Sequence, residues 1–129
     1  MYITSVIIDS NVKGIGNNTF RSCAFLKSIV IPEGVTYIGS EAFSGCTALS
    51  SAIIPESVTE IGNQAFSNCT ALSSIVIPEG ITDIAIRMFS DCSALSSVVI
   101  PDSVTSIGSG AFSGCKALSS VHIRPRSGV

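Results

Sequence analysis

Apolar positions along this chain recur in short alternating bursts rather than in helical stripes. In Leu49-Ser50-Ser51-Ala52-Ile53-Ile54, alternation places Ala52 and Ile54 on one side of an extended segment and leaves Ser51 and Ile53 on the other. Pro55-Glu56-Ser57 stops that strand, and the corresponding Ile31-Pro32-Glu33-Gly34 suits a type I turn with Pro at its second place. Val58 and Ile61 then point inward from a second short extended piece, and Gly62 redirects the chain. Residues 63–67 (NQAFS) predict a single helical or 3₁₀ turn with Ala65 and Phe66 facing in. A left-handed residue is expected to end it at Asn68 and at the aligned Gly45, Asp91 and Gly114. Cys69 and Leu72 close the unit.

The unit then repeats. Cys23, Cys46, Cys69, Cys92 and Cys115 recur at one constant step, and the same step carries Leu26 to Leu118, Phe20 to Phe112 and Ile8 to Ile123. Units 5–27, 28–50, 51–73, 74–96 and 97–119, with a partial unit 120–123, fill a single domain over 1–129. A period of about 20 to 29 residues is that of leucine-rich coils, each of which buries its apolar side only by stacking on its neighbours. The predicted fold class is an α/β-type repeat solenoid. It is a leucine-rich repeat with 23-residue coils, a parallel β-sheet on the concave side and short helical or 3₁₀ turns on the convex side.

The run S-x-x-I-P-[ED]-[GS]-V-T-x-I-G-x-x-A-F-x-x-C-x-x-L occupies Ser28–Leu49, Ser51–Leu72 and Ser97–Leu118, and more loosely the other two units. It closely resembles the BspA-type leucine-rich repeat, over about residues 3–123; Asp9 in place of Pro and the stretch Ala85–Met88 depart from it. Proteins of that family are typically surface or secreted products of host-associated bacteria and of some parasitic protists, and several are adhesins. The resemblance therefore implies a cell-surface or secreted location and a protein partner such as a host matrix protein or another surface protein.

Composition removes several alternatives. With 46% apolar and 12% charged residues the chain is not a disordered one. A net charge of −2 with scattered Lys and Arg offers no nucleic-acid patch. Apolar runs of three or four residues fall far short of the ~20 needed to span a bilayer as a helix, so no membrane insertion is expected. The opening MYITSVIIDSN lacks the basic region and cleavage site of a signal peptide.

Four columns of like residues are candidate sites. Outward strand positions Ile7, Val30, Ile53, Val76 and Val99 end at His122, with Ser5, Ser28, Ser51, Ser74, Ser97 and Ser120 on one side and Pro32, Pro55, Pro78 and Pro101 on the other. β-branched residues suit any exposed sheet, yet an apolar stripe rimmed by small hydroxyls also suits a protein contact. Val30, Ile53, Val76, Val99 and His122 with Ser51, Ser74 and Ser97 are the candidate partner-binding residues. The five cysteines read as a reduced packing ladder, since the count is odd and no C-x-x-C or nearby His accompanies them. The acidic column Glu33, Glu56, Glu79 and Asp102 reads as turn residues, with Ca²⁺ binding as the alternative. The glycines at 39, 62 and 108 are expected to serve a turn that a Cβ strains, which makes Ala85 costly by up to ~1 kcal/mol. Ile84-Ala85-Ile86-Arg87-Met88-Phe89 is then read as drift in a tolerant coil.

His122 is the only histidine, and no Ser or Cys has a second group to orient a base, so neither catalysis nor a cofactor is expected. Asn17 and Asn68 match the N-glycosylation pattern, for which chance suffices. A parallel solenoid leaves a bare strand at each end. Arg124-Pro125-Arg126 would blunt one end and nothing blunts the other, so the chain is expected to be a segment of a longer protein or to self-associate end to end. The sequence supports a non-enzymatic protein-binding module, with a structural spacer as the alternative.

Overall fold

Every coil repeats one problem: how a single short turn of chain can satisfy its backbone while burying only one side. In a computed structural model, which describes residues 2–124, the answer uses three stacked columns rather than a sheet and helices. Two short strands per coil alternate along the chain: β1 (Gly14–Ile15), β2 (Ser28–Val30), β3 (Tyr37–Ile38), β4 (Ser51–Ile53), β5 (Glu60–Ile61), β6 (Ser74–Val76), β7 (Asp83–Ile84), β8 (Ser97–Pro101), β9 (Ser106–Ile107) and β10 (His122–Arg124). Even-numbered strands pair in parallel on one face, Ser28 opposite Ser51 and Val76 opposite Val99. Odd-numbered strands pair on a second face, Ile15 opposite Ile38 and Ile38 opposite Ile61. Each partner lies one sequence period further on, so the period is the register.

The third column corrects the α/β expectation. Among the described residues there is no helix; residues 63–67 and their equivalents form successive turns. Ala65 N–H bonds to Gly62 O and Ser67 N–H to Gln64 O within the coil, at 3.3 and 3.1 Å. The intervening amides of Gln64, Phe66 and Asn68 instead donate to Ile86 O, Met88 O and Ser90 O of the next coil, at 3.0, 3.0 and 2.8 Å. A helix would need those amides for its own i→i−4 bonds. Left-handed residues accompany these bonds, and they cannot continue a right-handed helix. Asn68, Gly45, Asp91 and Gly114 have the expected positive φ of 59°, 76°, 60° and 78°, but Glu41, Gln64 and Arg87 are also left-handed, at 57°, 58° and 53°.

The strand-ending turn also differs from its expected form. It closes one residue later, Val35 N–H to Pro32 O and Val58 N–H to Pro55 O, because Ile31 is still bonded to Ile53 of the neighbouring coil. Gly34 sits inside that turn with φ of 100°, a left-handed position that suits type II rather than type I.

Between the columns runs one continuous core. Leu26, Leu49, Leu72 and Leu95 are fully buried. Phe20, Phe43, Phe66, Phe89 and Phe112 stack in parallel, with ring centroids 5.3 to 5.8 Å apart. The first unit is the exception. Ser5 to Ile8 form no strand, although Val6 and Ile8 still pack against the core and Asp9 still supports a turn by accepting the Val12 N–H at 3.1 Å. At the other end β10 extends the partial unit to Arg124, while Pro125 and Arg126, expected to blunt that edge, lie outside the described residues.

Candidate functional site

The even-strand face carries the stripe expected from alternation. Val30, Ile53 and Val76 are 64%, 61% and 51% exposed, unusually open for apolar side chains on regular strands. Ser28, Ser51, Ser74 and Ser97 are exposed beside them, Ser28 laddered to Ser51 and Ser74 to Ser97. Val99 is half-buried where it meets His122 on the adjoining strand, so the stripe narrows there. Ile7 is exposed but lies ahead of the first strand. The proline rim is not on this surface: Pro55, Pro78 and Pro101 are buried and Pro32 half-buried, because each packs into the coil it turns. The open apolar stripe is therefore bounded by hydroxyls on one edge and by the turn on the other.

The thiols form a ladder, as their spacing requires. Cys46, Cys69, Cys92 and Cys115 each donate an S–H to the carbonyl of the phenylalanine in the preceding coil, Phe20, Phe43, Phe66 and Phe89, at 3.0 to 3.2 Å. All five are free. Burial raises the Cys46 thiol from 9.0 to about 11 and that of Cys92 to about 12, and pushes Cys69 higher still. A raised folded-state value means the folded chain keeps protons that the unfolded chain has lost. The stabilisation is thus complete below about pH 9 and is lost as pH rises through the 9-to-12 range. Iodoacetamide at pH 8 is expected to label Cys23 and Cys115, the two half-buried thiols, well before the three inner ones. Urea midpoints are expected to be lower at pH 10.5 than at pH 8. Rapid labelling of Cys69 in the folded protein would contradict the ladder.

The acidic column does not gather. Glu33, Glu56 and Asp102 are exposed, Glu79 is half-buried, and the Glu79 N–H bonds to Glu56 Oε2 at 3.4 Å. Glu79 also lies 3.9 Å from the Arg124 guanidinium. Among the described residues, no group of three or more His, Cys, Asp or Glu is placed to hold a metal ion, and no helix is long and apolar enough to cross a membrane.

Alternation and period did not disclose a cleft of about 620 Å³ between the odd strands of coils three and four. Its edges include Glu60, Asp83, Ala85 and Ile86. The one signal for it in the sequence was Ala85 standing where Gly39, Gly62 and Gly108 stand in the other coils.

The sequence pattern of the BspA type leucine rich repeat region matches this chain in six copies, across residues 1–125. The chain belongs to the BspA-type leucine-rich repeat family. Solved structures agree with this assignment. A leucine-rich repeat protein of T. pallidum is 36% identical with a TM-score of 0.87, covering 92% of this chain and 57% of that one. A leucine rich cell surface protein from Faecalibacterium prausnitzii is 36% identical with a TM-score of 0.89 over 97% of this chain and 33% of that one. A leucine-rich repeat protein from Bacteroides ovatus is 41% identical with a TM-score of 0.88 over 92% of this chain and 31% of that one. The BspA-type coils here thus span between about a third and rather more than half of those neighbours. No curated protein matches the chain.

Proposed function

We propose that this BspA-type solenoid is a non-enzymatic protein-binding module, adhesin-like and carried at the cell surface or secreted, which engages a protein partner with its even-strand face as the concave side. The exposed stripe of Val30, Ile53 and Val76 carries this reading. Exposed β-branched residues are common singly, but three in one column, flanked by hydroxyls, form a surface that gains by being covered. Ser51, Ser74 and Ser97 would supply hydrogen bonds at its edge, and Val99 and His122 would close its far end. The surface location is supported by the cell surface neighbour from Faecalibacterium prausnitzii.

The test is binding to immobilised host matrix proteins, beside a variant with Val30, Ile53, Val76 and Val99 changed to Ser. At least tenfold weaker binding is expected, a loss of about 1.4 kcal/mol or more. Because Val99 is half-buried, a second variant leaves it intact and circular dichroism checks the fold of both. Binding retained by the folded variants would move the function off this face.

A spacer is the second reading, in which the repeats extend a larger surface protein. It is favoured by the partial coverage of every neighbour described above. Failure of both the parent chain and the variants to bind would put that reading ahead.

A further inference from the structure

The boundary between coils three and four is joined differently from the others. Wherever else the odd strand column crosses from coil to coil, it is bonded. Thr36 N–H donates to Lys13 O, Thr59 N–H to Thr36 O and Thr105 N–H to Thr82 O, at 2.8 to 2.9 Å. Gly39, Gly62 and Gly108 N–H donate to Ile15 O, Ile38 O and Ile84 O at 2.7 to 2.8 Å. Between coils three and four, among the described residues, neither Thr82 N–H to Thr59 O nor Ala85 N–H to Ile61 O forms, and β5 does not pair with β7. On the even face β4 does not pair with β6, and the bonds expected from Ile54 and Ser73 are also missing. Backbone-to-backbone bonds cross only in the turn column, through Gln64, Phe66 and Asn68; at the strand-ending turn the Glu79 N–H donates to the Glu56 side chain, at 3.4 Å.

Four features of sequence converge on this one boundary. The first is Ala85. A Cβ built on Gly62 would lie 2.6 Å from Ser40 N, and one on Gly108 2.6 Å from Ile86 N, so this position demands glycine because the preceding coil's backbone is too close. None of Gly39, Gly62 and Gly108 has a positive φ, which corrects the expectation of turn strain. Ala85 carries the Cβ that this approach excludes. Second, Glu60 and Asp83 occupy adjacent positions in the odd column, where like charges repel. Third, Ser57 Oγ and Ser103 Oγ tie their coils to Val35 O and Ile81 O at 2.7 and 2.8 Å, and Gly80 has no hydroxyl to do so, a lack it shares with Gly34. Fourth, Ala52 replaces the larger inward residue found at Ile29, Ile75 and Val98, beside a smaller cleft of about 230 Å³.

We infer that the boundary between coils three and four is a hinge, at which the two halves of the solenoid open about the intact turn column while the other boundaries are held closed by their odd-column bonds. A boundary whose backbone bonds lie along one of three edges rotates about that edge, and the exposed Glu56 side chain can follow the movement. Ile53 and Val76 lie on opposite sides of it, so opening alters the spacing of the exposed stripe. Drift in a tolerant coil is thereby replaced as the account of residues 84–89. Ala85 is a wedge.

Hydrogen exchange followed by NMR on the whole chain tests this. The amides of Ile54, Ser73, Thr82 and Ala85 are expected to exchange at least 100-fold faster than those of Ile31, Ser50, Thr59 and Gly62, while Gln64, Phe66 and Asn68 stay protected. In Ala85→Gly, protection at positions 82 and 85 is expected to rise at least tenfold. Three results would overturn the inference. They are equal protection of the two strand sets, turn-column amides that exchange as fast as the strand amides, or an Ala85→Gly variant with unchanged exchange at positions 82 and 85.

Discussion

Phe66→Ala is expected to destabilise the solenoid by about 3 to 5 kcal/mol, the largest loss from any single truncation of its core. Phe66 is fully buried and stacks on both Phe43 and Phe89, at centroid distances of 5.3 and 5.8 Å with interplanar angles of 7° and 12°. Removing it opens a cavity in the middle of the aromatic column, and the neighbouring coils cannot collapse into it. Their spacing is held by hydrogen bonds on the turn column, Phe43 N–H to Ala65 O and Phe66 N–H to Met88 O. Phe112→Ala, at a half-buried ring with one stacked neighbour, should cost clearly less. Urea denaturation followed by circular dichroism measures both. Equal losses would mean that the column does not couple coils in the nearest-neighbour manner of repeat proteins.

Gly62→Ala is expected to be among the most damaging changes of a single methyl, at about 2 to 3 kcal/mol. The added Cβ would fall 2.6 Å from Ser40 N and 2.9 Å from Gly39 C, both backbone atoms that cannot swing aside. Relief requires coils two and three to part on the odd face, which breaks the bonds from Gly62 N–H to Ile38 O and from Thr59 N–H to Thr36 O. Gly80→Ala provides the contrast. Its Cβ would meet Thr59 Cγ2 at 3.2 Å and the Val58 backbone oxygen at 3.3 Å, contacts relieved by a few tenths of an ångström, and its φ is not positive, so a change within about 1 kcal/mol is expected. Denaturation midpoints for the two variants decide the matter. A neutral Gly62→Ala would show that the close approach of the coils is soft, and would weaken the account of Ala85 as well.

How far these features could be read from the sequence depends on whether a residue type reports its own surroundings. Cys, Leu, Phe and Ile recur once per coil because each occupies the same inward place, mostly buried in the central units and less so towards the ends, so period, register and the inward side were all legible. The exposed places of Val30, Ile53 and Val76 followed from alternation alone. Helical content did not follow, because Glu41, Gln64 and Arg87 favour helices by intrinsic propensity and nothing in their chemistry announces a left-handed backbone. That conformation is imposed by the next coil, which takes the amide protons a helix would have used. The buried prolines were misplaced for a related reason: a residue that ends a strand was assumed to sit at the surface. Ala85 was visible as an anomaly, but its effect depends on Gly62 and its neighbours one coil earlier, and adjacency of that kind is seen only once the coils are stacked.

Every backbone bond between coils in the turn column runs the same way. Asn18, Phe20 and Ser22 donate to Ser40, Ala42 and Ser44, and the same three positions donate onward at each later boundary. A coil therefore presents three amide protons to its successor and three carbonyl oxygens to its predecessor, so its two sides are complementary but never alike. Contacts of this kind are heterologous: they add head to tail and do not close on themselves. A duplicated unit inserted at any boundary finds donors below and acceptors above already in place, whereas an inverted unit would set donor against donor. The peptide dipoles along this edge also align instead of cancelling. This edge thus has an electrical direction of its own, as aligned peptides give a helix its dipole, and the Thr and Gly amides of the odd column, which donate to the preceding coil, oppose it.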